Sequence, residues 1–219
     1  MSPASDVVAD FQGPGSGADR AVLLAHGAGS DRNAATLVAV ADTLEAAGIP
    51  SLRFDYPYRT AGRRAPDRPA ALEAATRAAA AELADRTSLA PDRLVLGGRS
   101  MGGRMCSQVV GADADPVSAL GLLLLGYPLH PAGKPERRRD AHFPQLTVPT
   151  LFVSGTRDAL APKDELSKAA RKIPGSVTFH WVETADHGYR PLKSSGRSID
   201  DVNAEVATVA TAWVLSLQV

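Results

Sequence analysis

The sequence predicts an α/β fold, a three-layer α/β/α sandwich around a mostly parallel, doubly wound sheet. Short apolar runs alternate with longer helical patterns along the chain, which is typical of a parallel sheet with helices on both faces. The run at 118–128 is almost continuously apolar, as expected of a strand buried on both sides. A length of 219 residues suits one such domain, so we interpret residues 1–219 as a single domain without a cap.

The apolar runs predict six strands, and the segments between them predict five helices. We expect strands over 21–27, 49–56, 92–98, 118–128, 149–158 and 177–187. We expect helices over 33–48, 68–86, 101–111, 162–173 and 198–217. Pro162 suits the first turn of its helix, and Ser198 suits the N-cap of the last one. The irregular stretch 130–149 is too short for a folded cap domain, and we interpret it as a loop over the site.

Composition excludes several classes of protein. A hydrophobic fraction of 44% with 22% charged residues indicates a soluble globular chain. Lys+Arg and Asp+Glu are both 24, so we expect neither nucleic acid nor an anionic membrane as a partner. The first eleven residues contain acids and no apolar run, which argues against a secretory signal, and 119–129 is too short to span a bilayer. The single cysteine, Cys106, permits no internal disulfide, and we expect a cytoplasmic protein.

A serine between two pairs of glycines is the strongest chemical signal in the chain. Within LVLGGRSMGGRM (94–105), the segment GRSMG (98–102) matches the Gly-x-Ser-x-Gly pattern of a nucleophile elbow. A sharp strand-to-helix turn holds such a serine in a strained backbone conformation, and small neighbours let the strand and the helix approach closely. A plain turn serine is the alternative, but the apolar run before Ser100 and the helical segment after it favour a nucleophile.

A serine nucleophile needs a base, and the base needs an acid to orient it. His187 lies in the polar loop that follows the last strand, and Asp158 ends the strand before it. The order Ser100, Asp158, His187 is the order expected of α/β-hydrolases. Right-handed crossovers bring the carboxyl ends of parallel strands to one edge of the sheet. At that edge we expect Gly27, Tyr56, Ser100, Tyr127, Asp158 and His187.

Other acids and histidines have simpler interpretations. Asp186 is a competing acid, but it is adjacent to the histidine, and adjacent residues rarely hydrogen-bond each other through both side chains. Asp55 is interpreted as a structural carboxylate, and His180, inside a strand, as a solvent-facing or packed ring. His130 and His142 lie in the long loop, within reach of a substrate but with no acid clearly placed behind them.

The oxyanion of an acyl-transfer intermediate needs two N–H donors. We expect one donor to be the backbone N–H of Met101, directly after the nucleophile. The other is expected from HGAGSD (26–31), with Ala28 as first choice and Gly29 as second. A simple tight strand end at His26 is the alternative interpretation of that segment.

With these residues in place, the chain resembles a small α/β-hydrolase of the dienelactone-hydrolase-like kind, although dienelactone hydrolases carry a cysteine at the elbow. The segments LAHGAG, RFDYPYR, LVLGGRSMGGR, YPLHPAGKPE and PTLFVSGTRD are similar to a narrower group. That group contains a testis-expressed mammalian protein and the hydrolase-like domain of a subunit of the NSL histone-acetyltransferase complex. The resemblance covers about residues 20–190 and implies the α/β-hydrolase fold and a serine hydrolase of unknown substrate.

Substrate contacts are expected from four residues, Arg99, Tyr56, Tyr127 and His130. The tyrosines at strand ends suit either a pocket wall or ordinary packing. The charge run ERRRD (136–140) is interpreted as a solvated loop. No group of residues has metal-ligand spacing, and we expect neither a metal nor a cofactor.

Three arginines stand near the expected triad. Arg99 and Arg104 flank the elbow, and Arg157 precedes the acid. Paired guanidinium donors suit a substrate carboxylate, but structural pairing with nearby carbonyls and acids is the interpretation we favour.

These patterns predict a serine hydrolase that cleaves an ester or a related acyl bond of a small molecule. The triad does not choose between an esterase, a thioesterase and a peptidase, because the same acyl-transfer chemistry serves all three. The alternative is a hydrolase-like binding or scaffold protein without useful turnover, and the resemblance to a chromatin-complex subunit motivates it.

Overall fold

The computed structural model describes residues 8–219, which form a seven-stranded sheet flanked by helices. The strands lie in the order β1-β3-β2-β4-β5-β6-β7. All neighbours are parallel except β1, which runs antiparallel to β3 at one edge. The strands are β1 Ala9–Gln12, β2 Ala21–Ala25, β3 Ser51–Phe54, β4 Leu94–Arg99, β5 Gly121–Leu125, β6 Thr150–Gly155 and β7 Val177–Val182.

The helices cover both faces of this sheet and divide the core into two layers. They are α1 Ala35–Ala46, α2 Pro57–Thr60, α3 Pro69–Thr87, α4 Met101–Val110, α5 Lys163–Ala170 and α6 Ile199–Ser216. Helices α3, α4 and α5 share one apolar cluster, and α1 and α6 share the other. This three-layer arrangement confirms the predicted fold class.

Successive side chains of a strand point to opposite faces of the sheet, which explains why the sequence of a strand covered on both faces is apolar throughout. Along β2, Leu23 and Ala25 belong to one apolar cluster, whereas Val22 and Leu24 belong to the other. All four residues are fully buried. A strand covered on both faces therefore needs an apolar side chain at every position.

Several boundaries differ from the sequence-based prediction. The edge strand β1 was not predicted, because its sequence ADFQ mixes polar and apolar residues that are all half-buried. The predicted strand over 177–187 ends at Val182, since the residues after it leave the sheet to form a loop. Pro162 lies at the N-cap of α5 instead of inside its first turn. Ser198 is the N-cap of α6 as predicted, in a capping box with Asp201.

Residues 1–7, on which part of the expectation about a secretory signal depends, lie outside the described residues. Within residues 8–219, no helix combines the length and the apolar character needed to cross a bilayer.

Candidate active site

Ser100 occupies a strained turn between β4 and α4. Its backbone has φ 51° and ψ −113°, a conformation that L residues rarely adopt. Such a residue costs on the order of 1–3 kcal/mol and persists only where its surroundings enforce it. The Ser100 N–H donates to the Leu125 carbonyl at 2.8 Å, which ties the turn to the neighbouring strand β5. The turn presents the hydroxyl at the carboxyl edge of the sheet.

The glycines around Ser100 allow β2 to approach the turn. Gly98 is aligned with Ala25 of β2, and a Cβ atom at Gly98 would lie 2.1 Å from the Ala25 carbonyl oxygen. A Cβ atom at Gly102 would lie 2.1 Å from the same oxygen. A side chain at either position would push β2 away from the elbow, and this is the physical reason for the Gly-x-Ser-x-Gly pattern.

The structure brings Ser100, His187 and Asp158 into one hydrogen-bonded chain. Ser100 Oγ lies 2.9 Å from His187 Nε2, and His187 Nδ1 lies 2.8 Å from Asp158 Oδ2. Since a carboxylate only accepts hydrogen bonds, Nδ1 carries the ring proton and Nε2 accepts from the serine hydroxyl. The imidazole is therefore held in the tautomer that a general base requires.

Asp158 is held on both of its oxygens. Oδ2 accepts from His187, and Oδ1 accepts from the Leu160 backbone N–H at 2.8 Å. The carboxylate is fully buried, whereas the His187 side chain is 26% exposed. Two donors on a buried carboxylate fix its orientation and, through it, that of the imidazole.

Arg99 anchors the loop that carries His187. Its guanidinium donates to the His187 carbonyl and lies 4.5 Å from the ring centroid of Tyr189. Tyr189 is fully buried, and its hydroxyl donates to the Val153 carbonyl at 2.8 Å. Arg99 thus acts on the loop backbone, which is the structural pairing with a carbonyl that the sequence favoured, and it is not among the residues that line the cavity beside Ser100.

Asp186 has a different task from Asp158. Its Oδ1 accepts from the N–H groups of Gly188 at 2.7 Å and Arg190 at 3.0 Å. These bonds close a turn around His187, and the carboxylate makes no hydrogen bond to the imidazole. The structure therefore pairs the histidine with Asp158.

The backbone N–H groups of Ala28 and Met101, beside Ser100, have no intramolecular acceptor within residues 8–219. Both residues line the same cavity as Ser100. The Gly29 N–H, in contrast, donates to the Tyr58 hydroxyl at 3.3 Å. Of the two expected donors in the 26–31 segment, Ala28 is the one left available for an oxyanion.

The cavity beside Ser100 has a volume of about 390 Å³. Its walls come from the start of α3, the start of α4 and the loops after β5 and β6. They comprise Ala28, Pro66, Asp67, Pro69, Leu72, Ser100, Met101, Arg104, Pro128, Pro131, Ala132, Arg139 and Leu160. The volume is at the lower end of the range for small-molecule sites.

Three other predicted substrate contacts lie elsewhere. Tyr56 and Tyr127 are fully buried, and their hydroxyls contact the Thr76 side chain and the Arg139 carbonyl. His130 is 4% exposed, and its Nδ1 donates to the Pro131 carbonyl at 3.0 Å. The two tyrosines belong to the apolar core, which is ordinary packing where the strands end, and none of the three residues lines the cavity.

Sequence reasoning missed Arg139 as a residue of the site. It belongs to the charge run 136–140, which was interpreted as a solvated loop. The loop folds back so that Arg139 faces the cavity, and Asp140 is buried beside Lys172 at 3.1 Å. Nothing in the charge run itself distinguishes the two residues that turn inward, Arg139 and Asp140, from their exposed neighbours.

His26 and His142 are structural. The buried His26 ring donates from Nδ1 to the Gly27 carbonyl at 2.8 Å and accepts the Tyr56 N–H on Nε2 at 3.2 Å, so it ties together the ends of β2 and β3. Burial lowers the pKa of His26. His142 contacts Ser107 Oγ at 2.9 Å through Nε2, and burial together with the charge of Arg104 lowers its pKa to about 4.

Because the pKa of His142 is lowered in the folded protein, we expect the protein to lose stability in acid. Its ordinary pKa is 6.5, so the unfolded chain takes up a proton below that pH while the folded chain stays neutral down to about pH 4. The stability that comes from keeping His142 neutral is fully present above pH 6.5. It decreases by about 3 kcal/mol as the pH falls from 6.5 to about 4. We expect His142→Gln to flatten the pH dependence of the free energy of unfolding, measured with urea between pH 7 and pH 4. Identical slopes for the two proteins would contradict this.

The sequence matches the model of one protein family, described as alpha/beta hydrolase domain, over residues 18–215. The chain belongs to the alpha/beta hydrolase domain family. Solved structures share the fold of this alpha/beta hydrolase. A dienelactone hydrolase from Anabaena variabilis ATCC 29413 has 20% identity and a TM-score of 0.72, with 96% of this chain and 92% of that chain covered.

Two further structures have the same fold at lower identity. An alpha-beta serine hydrolase homologue from Coxiella burnetii has 16% identity and a TM-score of 0.72, with 95% of this chain and 94% of the other covered. A monoacylglycerol lipase from Paleococcus ferrophilus has 14% identity and a TM-score of 0.72, with coverages of 96% and 99%. At these identities the likeness concerns the fold of the alpha/beta hydrolase.

Proposed function

We propose that this protein is a serine hydrolase that cleaves an ester or a related acyl bond of a small molecule. The hydrogen-bonded chain from Ser100 through His187 to Asp158 carries this proposal, with contacts of 2.9 Å and 2.8 Å. The two free N–H groups of Ala28 and Met101 in the same cavity support it.

In the proposed reaction, Ser100 Oγ attacks the acyl carbon while His187 Nε2 takes the hydroxyl proton. Asp158 stabilises the imidazolium that forms and keeps it in place. The N–H groups of Ala28 and Met101 bind the oxyanion of the tetrahedral intermediate. His187 then gives its proton to the leaving group, which departs from an acyl-enzyme. A water molecule, deprotonated by His187, attacks the acyl-enzyme, releases the acid and regenerates Ser100.

Covalent labelling tests this proposal directly. We expect a fluorophosphonate probe to modify the folded protein once, with the adduct on Ser100 in the peptide mass spectrum. Ser100→Ala is the control and should remain unlabelled. If the folded wild-type protein does not react, or if the adduct lies on another residue, the proposal is wrong.

A test of the oxyanion donors follows from the free N–H at position 28. Ala28→Pro removes that N–H, and loss of one such donor costs about 10²–10³ in kcat. We expect a decrease of this size in the turnover of 4-nitrophenyl butyrate, with a thermal midpoint close to the wild-type value. Ala28→Gly keeps the donor and should stay within about threefold of wild type. Equal losses in the two variants would exclude position 28 as a donor.

The narrower resemblance, to the group with a testis-expressed protein and an NSL-complex subunit, belongs to the same proposal. If it extends to function, the domain is a binding or scaffold module instead of an enzyme. Equal rates for wild type and Ser100→Ala in an esterase screen would favour that alternative. A panel of matched esters, thioesters and amides would define the bond that is cleaved.

We also propose a cytoplasmic location for this protein.

A further inference from the structure

Two arginines, Arg104 and Arg139, line the cavity beside Ser100. Neither has a carboxylate oxygen within 4.0 Å among residues 8–219. Arg138, one position earlier, instead pairs with Glu165 at 2.9 Å and Asp140 at 3.3 Å. The cavity therefore holds two positive charges that the described part of the chain does not neutralise by contact.

Both guanidinium groups have N–H donors without a hydrogen-bond acceptor among residues 8–219. Arg104 donates from one terminal nitrogen to Gln108 at 2.9 Å, while its Nε is buried without a partner. No hydrogen bond from the Arg139 guanidinium to another described side chain or carbonyl is present in residues 8–219. Burial, followed by the charge of Arg104, lowers the pKa of Arg139. An unpaired buried donor on a charged group is costly unless a ligand satisfies it.

The backbone of each arginine is held in place by hydrogen bonds. Arg104 is four residues after Ser100, and its N–H donates to the Ser100 carbonyl at 3.1 Å. Side chains of a helix lean toward its N-terminus, so Arg104 lies over the turn that carries Ser100. The backbone of Arg139 is anchored through its N–H to Leu129 at 2.9 Å and through its carbonyl to the Tyr127 hydroxyl at 2.5 Å.

Asp67 also lines the cavity, and its charge is balanced locally. Its Oδ1 accepts from Arg63 at 2.7 Å, and its Oδ2 is buried without a partner. It contacts neither Arg104 nor Arg139, whose nearest carboxylates are beyond 4.0 Å. The balance of charge in the cavity is therefore positive.

The cavity corresponds to the acyl side of the reaction. In the proposed function, His187 protonates the leaving group, so the leaving group lies beside the imidazole. The cavity is lined by Ser100 and by the two oxyanion donors, whereas His187 does not line it. The acyl chain is the part of the substrate that remains to occupy it.

We propose that the acyl part of the substrate carries a carboxylate, which Arg104 and Arg139 bind. The inference rests on the proposed function and adds the substrate class, a half-ester or half-thioester of a short dicarboxylic acid. Planar guanidinium groups offer paired donors that match a carboxylate. The volume of about 390 Å³ accommodates an acyl chain of a few carbons.

Two matched esters test this substrate class, mono-4-nitrophenyl glutarate and 4-nitrophenyl valerate. Rates are corrected with Ser100→Ala for spontaneous hydrolysis. We expect wild-type kcat/KM to favour the glutarate ester by about tenfold or more, the size of one hydrogen bond to a charged group. Arg104→Gln and Arg139→Gln should each lower the ratio of kcat/KM for the glutarate ester to kcat/KM for the valerate ester about 10- to 100-fold. Arg137→Gln, on the same loop but exposed, should change neither.

Equal wild-type rates for the two esters, or equal losses on both esters in the glutamine variants, would overturn the inference while leaving the hydrolase proposal intact. If Ser100 is not labelled and neither ester is cleaved, the hydrolase proposal fails by itself. Calorimetric titration of Ser100→Ala with glutarate then decides the anion site. If glutarate binds and Arg139→Gln abolishes the binding, the anion site is supported. If glutarate does not bind, or if inorganic phosphate binds more tightly than glutarate, the carboxylate assignment is overturned.

Discussion

Replacing Ser100 with alanine is expected to lower kcat for a 4-nitrophenyl ester about 10⁶-fold, because the acyl-enzyme cannot form. Alanine keeps the Cβ atom of serine, so the turn at φ 51° is preserved and the folded structure should be unchanged. Residual turnover above the rate in buffer would come from the proposed oxyanion donors and from binding. Steady-state kinetics with purified protein measures the difference, and circular dichroism checks the fold.

Ser107→Ala is the matched control, because the protein contains a second serine–histidine contact of equal length. Ser107 Oγ lies 2.9 Å from His142 Nε2, but Ser107 is fully buried and does not line the cavity. Within residues 8–219, no carboxylate is hydrogen-bonded to the other nitrogen of His142. We expect this variant to retain turnover within about threefold of wild type. A large loss in Ser107→Ala combined with a small one in Ser100→Ala would place the nucleophile elsewhere.

Replacing Asp158 with asparagine is expected to lower kcat about 10⁴-fold with little change in structure. Asp158 Oδ1 accepts from the Leu160 N–H, so the amide oxygen of asparagine would take that position and its NH₂ group would face His187. The imidazole would then have to accept at Nδ1 and carry its proton on Nε2. In that tautomer it cannot take the proton of the Ser100 hydroxyl.

Asp186→Asn makes the same chemical change one residue before the histidine. The oxygen that accepts from Gly188 and Arg190 is retained in an amide, so the turn should persist and kcat should stay within about threefold of wild type. The comparison of the two asparagine variants by kcat and thermal midpoint identifies the orienting acid. A greater loss in Asp186→Asn than in Asp158→Asn would assign that role to Asp186.

The sequence alone predicted the layers of the fold, because burial on both faces requires continuous apolar runs such as 121–125 in β5. The sequence did not predict the edge strand β1, because an edge strand needs neither apolar side chains on both faces nor a strong alternation of polar and apolar residues. Chain order and strand ends also indicated which serine, acid and histidine would meet. Their positions along the chain do not give the distances between their side chains in the folded protein. The contacts of 2.9 Å and 2.8 Å come from the packing of β4, β6 and the loop after β7.

Local patterns determined what depends on neighbouring residues: the alternating elements, the capping box at Ser198 and the glycines that an elbow demands. Only the tertiary structure decided which side chains face the cavity. Tyr127 turned into the core, Arg99 toward the His187 loop, and Arg139 toward the cavity that Ser100 also lines. The direction of a loop side chain depends on contacts with residues distant in sequence, such as the Tyr127 hydroxyl on the Arg139 carbonyl, and no local pattern encodes those contacts.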